Sequence, residues 1–226
     1  MSETVTAAGL TAVVIRKPIK CVYIRVQDGC VVMSAPLAVS REELERLLDK
    51  HSAALKKQLG PGGEFFAEGK PLPYLGKNYV QHYSPSDYVW EAAVEDGTIH
   101  IKCPAGWSQR EKKDFFCSWY ACRLSELLEE LVPRWEQALG IRAEGGWKVG
   151  SWVSCWGKCN LKSRSLGFNA ALAQAPVQVI ESVVLHELLH LRIENHQKEF
   201  HDALKAGMPE IRACDEYLKN MFNVLK

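Results

Sequence analysis

The N-terminal part of the chain alternates apolar and polar positions in short runs, the pattern of β-strands with one buried face. Asp28-Gly29 separates two of these runs and predicts a tight hairpin turn. We therefore expect antiparallel strands. They are predicted at Thr11–Lys17, Cys21–Val26 and Cys30–Ala35.

Helical spacing follows this strand pattern. Ser40 and Glu43 have the spacing of a capping box, and apolar residues then recur at helical intervals until Gly60-Pro61. We expect one amphipathic helix that packs on the sheet. Strand patterning then resumes, and the predicted strands are Glu64–Ala67, Leu75–Val80, Tyr88–Val94 and Thr98–Lys102.

Strand patterning gives way to helix patterning near Pro104. We therefore predict an N-terminal β-rich domain at residues 1–105 and a second domain at residues 106–226. In the second domain, the capping box Ser108–Glu111 opens a long helix that runs to about Gly140. Pro133 predicts a kink or break in it. The pattern as a whole predicts an α+β protein.

The later part of the second domain combines strands and helices. Residues 147–169 have the mixture of aromatic residues, glycines and turns that is typical of a strand and hairpin region, and Ser165–Asn169 forms its last strand. Pro176 suits the first turn of the next helix. Two short helices are predicted beyond it, at Lys198–Ala206 and Pro209–Leu225.

Candidate chemistry is concentrated in the helix that follows Pro176. This helix is apolar on almost all sides, so we expect it to be buried. Buried imidazoles and carboxylates need hydrogen-bonding or metal partners. His186 and His190 lie one helical turn apart, about 40° around the axis, and project to the same side. Glu187 lies to one flank of this pair, where it can reach a metal-bound water. A buried helix that carries histidines without a metal is the alternative, and a third ligand would favour the metal.

His196 is the predicted third ligand. We expect the helix to end near Glu194 or Asn195, with Asn195 in the left-handed conformation that ends many helices, so that His196 turns back toward the metal. Three protein ligands and an open position are typical of catalytic zinc, whereas structural zinc usually has four protein ligands. We interpret His201 as a surface or outer-shell residue.

The charge balance, the apolar runs and the cysteines limit the partners and the cellular location that we expect. Lysine plus arginine number 28 against 27 aspartate plus glutamate, so the net charge indicates neither nucleic acid nor an anionic membrane as a partner. No secretory signal and no apolar run of about 20 residues is evident, and we expect a cytoplasmic protein. The eight cysteines are expected to be reduced. Neither Cys155/Cys159 nor Cys117/Cys122 has the second pair that a further metal site would need.

The sequence resembles the YgjP-like metallopeptidase domain family, which is related to the SprT-like and WLM zincins. The resemblance rests on His186-Glu187-Leu188-Leu189-His190, then His196 after five residues and Phe200 four positions further on, and on Ser154–Asn160 and Phe168-Asn169. It implies a zincin-like domain with a small sheet, zinc on the three histidines, and Glu187 as the catalytic base. Cys155 and Lys158 stand where the family has arginine and serine, which bears on the substrate and leaves the zinc site untouched.

These observations predict a zinc-dependent hydrolase that cleaves extended polypeptide. An extended substrate would add to Ser165–Asn169 as a further strand if that strand lies at the sheet edge. Trp156 and Asn169 are interpreted as packing and turn residues. Two alternatives stay open: a zinc-dependent nucleotide phosphohydrolase, although no glycine-rich phosphate loop precedes a helix, and a non-catalytic binding module stabilised by zinc. Glu187 argues against the second alternative, because a structural site does not need it.

Overall fold

The N-terminal strands form a four-stranded sheet that is covered on one face by a helix. The computed structural model describes residues 3–27, 30–59, 65–87, 91–152 and 154–221. The sheet has the strand order β1-β2-β4-β3. Its elements are β1 (Glu3–Ala7), β2 (Leu10–Arg16), β3 (Tyr23–Gln27), β4 (Cys30–Ala35) and the helix α1 (Arg41–Leu59).

The core of this part follows from the period of two in its strands. Leu10, Ala12 and Val14 of β2 are buried while the residues between them are more exposed, and Leu44 and Leu48 of α1 are fully buried against the same face. The predicted capping box is confirmed at its first residue. The Ser40 hydroxyl accepts the Glu43 backbone N–H at 3.3 Å, which satisfies one free donor of the first helical turn.

The prediction of an entirely antiparallel sheet is wrong. β3 and β4 pair antiparallel, with Gln27 opposite Cys30, but β4 also pairs with β2 in parallel. β4 therefore lies between β2 and β3. The order of strands in the chain does not predict this order in the sheet, because strand pairing joins residues that are distant in the sequence. The strand β1 was not predicted. The turn Asp28-Gly29 and the helix stop Gly60-Pro61 lie outside the described residues.

The rest of the chain contains two more sheets and four more α-helices within the described residues. One sheet has the order β5-β6-β8-β7 and the other the order β10-β11-β9. The elements are β5 (Pro71–Tyr74), β6 (Lys77–Pro85), β7 (Glu91–Glu95), β8 (Thr98–Cys103), α2 (Gln109–Leu139), β9 (Trp147–Gly150), β10 (Gly157–Asn160), β11 (Ser165–Asn169), a 3-10 helix (Ala170–Gln174), α3 (Val177–His190), α4 (Lys198–Gly207) and α5 (Ile211–Asn220).

Both of these sheets are mixed, since β6 and β8 are parallel, as are β9 and β11. The α+β class is thus confirmed, with three mixed sheets. Residues 65–67 form bends, so the strand predicted at Glu64–Ala67 is absent from its described part. α2 continues through Pro133 as one helix, so Pro133 does not break it, and the alternative of a kink at this residue stays a prediction.

By its contacts the chain divides into two compact units. The first comprises the chain up to Ala67 and Ser108–Arg110, and the second comprises Glu68–Trp107 and the chain from Glu111. The division into domains at residues 1–105 and 106–226 stays a prediction. No helix within the described ranges is long and apolar enough to cross a membrane.

A hairpin in the second unit supports the start of α3. The strand predicted at Leu75–Val80 is instead a turn followed by β6, and Leu75 and Gly76 both have positive φ, at 47° and 77°. Their N–H groups donate to the carbonyls of Ala173 and Gln174 at 2.8 and 3.1 Å. A Cβ on Gly76 would lie 2.6 Å from the Pro176 ring, so only glycine permits this contact.

Candidate metal centre

The helix α3 positions two of the predicted ligands and the predicted base. Nine of its 14 residues are buried, Glu187 among them, which confirms that this helix lies in the interior. Pro176 is its N-cap residue. The predicted end of the helix near Glu194 or Asn195 is wrong, because α3 ends at His190 and Leu191 is its C-cap.

His196 reaches the site by a different turn from the one predicted. Asn195 does not have the left-handed conformation. Instead the Gln197 N–H donates to the Asn195 carbonyl at 2.8 Å, which closes a three-residue turn with His196 at its apex. α4 begins directly after this turn, at Lys198. The earlier end of α3 gives the chain enough length to reverse its direction and return His196 to the histidines of α3.

The three predicted ligands come together. The Nε2 atom of His186 lies 3.1 Å from Nε2 of His190 and 3.0 Å from Nε2 of His196. Within the described part of the chain, this is the one group of three or more candidate ligands whose atoms lie within 4.8 Å of one another. In a tetrahedral zinc site with Zn–N bonds of about 2.0–2.1 Å, neighbouring nitrogens are about 3.3 Å apart. The donor set therefore fits a zinc ion.

The protonation of these imidazoles also suits a metal. Burial, reinforced by the neighbouring histidines, lowers the pKa of His186 to about 4, and burial also lowers the pKa of His190. The imidazole rings of His186 and His190 are therefore neutral at neutral pH, and the neutral imidazole is the form that binds a metal ion. The Nδ1 atom of His190 lies 3.2 Å from the Ile193 carbonyl, an acceptor that places the proton on Nδ1 and leaves Nε2 free to bind.

Phe200 forms an apolar wall behind all three imidazoles. It is fully buried, and its ring centroid lies 4.7 Å from that of His190, nearly parallel to it, and 4.9 and 4.8 Å from those of His186 and His196. One ring thus restricts the orientation of all three imidazoles. The sequence singled out Phe200 only through the resemblance, since an aromatic residue on a helix is usually a core residue.

Glu187 is buried beside the strand β10, and it is 6% exposed. Burial raises the pKa of its carboxyl group to about 7. A Cβ on Gly157 would lie 2.5 Å from Glu187 Oε1, so the carboxylate rests directly on the backbone of β10 and any larger residue would displace it. Sequence reasoning did not identify Gly157, because the contact joins positions that are 30 residues apart.

The strand β10 is an edge strand, and β11 is not. β11 pairs with β10 on one side and with β9 on the other, and the Leu166 N–H donates to the Gly146 carbonyl at 2.9 Å. The condition that Ser165–Asn169 lies at a sheet edge is therefore not met. The available edge beside Glu187 belongs to β10, which in the described residues pairs only with β11.

Asn169 has the structural role that its residue type predicted. Its side-chain N–H groups donate to the carbonyls of Trp152 and Cys155 at 2.7 and 2.8 Å, and its Oδ1 accepts the Ala171 N–H at 3.1 Å. It therefore binds the backbone at Trp152 and at Cys155 and caps the 3-10 helix. The Trp156 carbonyl accepts the Asn169 backbone N–H at 2.8 Å, which continues the pairing of β10 and β11.

The remaining candidates stand outside the histidine cluster. His201 is exposed, does not belong to the group, and has its ring centroid 6.1 Å from that of Phe200. Cys155 and Cys159 form no further metal group within the described residues. Burial, followed by the nearby charge of Glu187, raises the pKa of Cys159.

An α+β fold that presents three convergent imidazoles and a buried glutamate defines a candidate metallohydrolase. The family model of the YgjP-like metallopeptidase domain matches residues 20–221, and the chain belongs to this family. The protein is therefore a hydrolase of the metallopeptidase type. No curated protein matches the chain. Among solved structures, the metallopeptidase zymogen of Pyrococcus abyssi abylysin matches at 18% identity and a TM-score of 0.39, over 42% of this chain and 97% of that chain.

Proposed function

We propose that the protein is a zinc-dependent peptidase in which His186, His190 and His196 hold the metal and Glu187 is the general base. The convergence of three Nε2 atoms beside a buried carboxylate carries this proposal. Three nitrogen ligands leave a fourth position for water or substrate, which is the arrangement of catalytic zinc. The chemistry that bound zinc supplies is the activation of water and the polarisation of a carbonyl group.

Glu187 would move the proton. A pKa of about 7 makes its carboxylate a stronger base than an exposed glutamate, while leaving it substantially ionised at neutral pH. It would accept a proton from the attacking water and deliver that proton to the nitrogen of the leaving amine. The backbone of Gly157 holds the carboxylate in place, so the proton acceptor is fixed on one side of the site before substrate arrives.

The open edge of β10 is the proposed place for an extended polypeptide. The Asn169 N–H donates to the Trp156 carbonyl, and in an antiparallel pair every second residue of a strand directs its backbone groups to the same neighbour. The backbone groups of Lys158 and Asn160 therefore also point toward β11. The N–H and C=O groups of Gly157 and Cys159 then point to the opposite side, where a substrate strand can pair with them. Such pairing would place the substrate backbone directly beside Glu187.

The test is hydrolysis by the zinc-loaded protein of a diverse set of unstructured peptides, with products read by mass spectrometry and nucleoside triphosphates assayed in parallel. We expect peptide cleavage that stops in a chelator and returns with zinc. Cleavage of triphosphates without cleavage of any peptide would favour a phosphohydrolase instead. Zinc binding without turnover of either class would favour a non-catalytic module.

A further inference from the structure

The outer face of the small sheet, turned away from Glu187, has an unusual surface. Side chains alternate along β10, so Lys158 lies on the face opposite to Gly157 and Cys159. The register places Lys158, Gly167 and Lys148 in one row across the three strands. Two cationic side chains therefore flank a glycine, and one of them belongs to the open edge strand.

Trp152 covers the glycines of this face. A Cβ on Gly150 would lie 2.9 Å from the Trp152 ring, and a Cβ on Gly167 would lie 3.0 Å from that ring and 2.9 Å from Cε of Lys158. Neither glycine has positive φ, so close approach and not backbone conformation explains the absence of a side chain. The two glycines thus make room for an indole plane that lies against the sheet.

Lys158 rests on this indole plane. Its Nζ atom lies 3.9 Å from the centroid of the Trp152 ring, within the range of a cation–π contact. Lys158 is exposed, and within the described part of the chain no carboxylate forms an ion pair with it. An ordinary surface lysine samples many rotamers, whereas this ammonium group lies against the indole ring beside the strand edge, and no carboxylate of the described residues pairs with its charge.

We infer that Lys158 is a specificity-determining residue that selects an acidic side chain in the substrate strand. The inference rests on the proposed peptidase function. Residues that face each other across paired strands have Cβ atoms about 4.5–5.5 Å apart on the same face of the sheet. The substrate residue opposite Lys158 would therefore project beside the ammonium group and the Trp152 ring. Whichever way the substrate runs, this residue is next in sequence to the one opposite Gly157, which lies beside Glu187.

The inference narrows the substrate to extended polypeptide with an aspartate or glutamate close to the scissile bond. An opposite-charge pair across paired strands favours binding by about 1.4- to fivefold over a neutral pair. Because the site is exposed, the preference should weaken as salt shortens the Debye length from about 10 Å at 0.1 M to about 3 Å at 1 M.

The experiment uses a cleaved peptide in which each position within four residues of the scissile bond is replaced in turn by Asp, Asn or Lys. The readouts are kcat/KM for the wild type and the affinity of the same peptides for the zinc-loaded Glu187→Gln protein. We expect one position at which Asp exceeds Asn by about 1.4- to fivefold in both readouts at low salt, with Lys lowest. Lys158→Met, which keeps the aliphatic stem over Trp152, should bring the ratio of Asp to Asn to one, and Lys158→Glu should reverse it.

Lys162→Met is the matched control, since Lys162 is also exposed but lies in the turn beyond β10. This variant should keep the acidic preference. Peptides that are cleaved with no acidic preference at any position, or a preference that survives in Lys158→Met, would overturn the inference and leave the peptidase function standing. Failure of the wild-type protein to cleave any peptide would overturn both.

Discussion

Glu187→Gln should stabilise the metal-free protein at high pH, because it removes a charge whose ionised form is disfavoured by burial. Burial raises the pKa of Glu187 from an ordinary 4.5 to about 7. Each pKa unit corresponds to about 1.4 kcal/mol, so ionised Glu187 costs about 3 kcal/mol of folding free energy. This cost is the physical basis of a carboxylate that acts as a base near neutral pH.

The direction of the pH dependence of the unfolding free energy follows from proton binding by Glu187. Between pH 4.5 and about 7 the folded protein holds the Glu187 proton that the unfolded chain has lost, so wild-type stability falls as pH rises through this window. The glutamine variant has no such loss. The difference in unfolding free energy, variant minus wild type, should therefore increase by about 3 kcal/mol between pH 4 and pH 8. His186 titrates in both proteins and cancels in this difference.

Urea unfolding in the presence of a chelator, at closely spaced pH values, measures this difference. Glu194→Gln is the matched control, since Glu194 is an exposed carboxylate near the same site. It should show no comparable increase. A stability difference for Glu187→Gln that stays constant from pH 4 to pH 8 would refute the reasoning that burial raises the pKa of Glu187.

Three further changes test the site. Zinc-loaded Glu187→Gln should keep its zinc and lose about 10²- to 10⁴-fold in peptide turnover, and undiminished turnover would remove Glu187 from the mechanism. Gly157→Ala places a Cβ 2.5 Å from Glu187 Oε1, so turnover should fall with zinc content unchanged, whereas equal turnover would show that the carboxylate need not rest on β10. Phe200→Ala should cost about 3–5 kcal/mol in urea unfolding, and a loss below about 1 kcal/mol would contradict its role as the wall behind the ligands.

The local features of the site could be predicted from the sequence. His186 and His190 lie one turn apart on a single helix, and helical geometry alone brings them to one side. The capping interaction of Ser40 and the strand at Ser165–Asn169 are equally local. Each depends on residues close together in the chain, where spacing and residue type carry the information.

Several features that the sequence did not predict are long-range. The position of β4 between β2 and β3, and of β11 between β10 and β9, depends on which strands pair, which spacing does not encode. The contact of Gly157 with Glu187 depends on the packing of α3 against β10. The early end of α3 has a cause that is local in the sequence. The turn at His196 and the start of α4 at Lys198 require the chain to leave the helix at His190.

Zinc content after exhaustive dialysis, measured for the wild type and for single alanine variants, tests the central claim most directly. We expect about one zinc per chain in the wild type and in His201→Ala, because three imidazoles suffice for an open zinc site. Zinc affinity should fall in each of the variants His186→Ala, His190→Ala and His196→Ala. The fall should exceed the roughly 10- to 100-fold loss that is typical when a hydrogen-bond partner of a ligand is removed. Retention of zinc with wild-type affinity by His196→Ala would contradict the proposed metal centre.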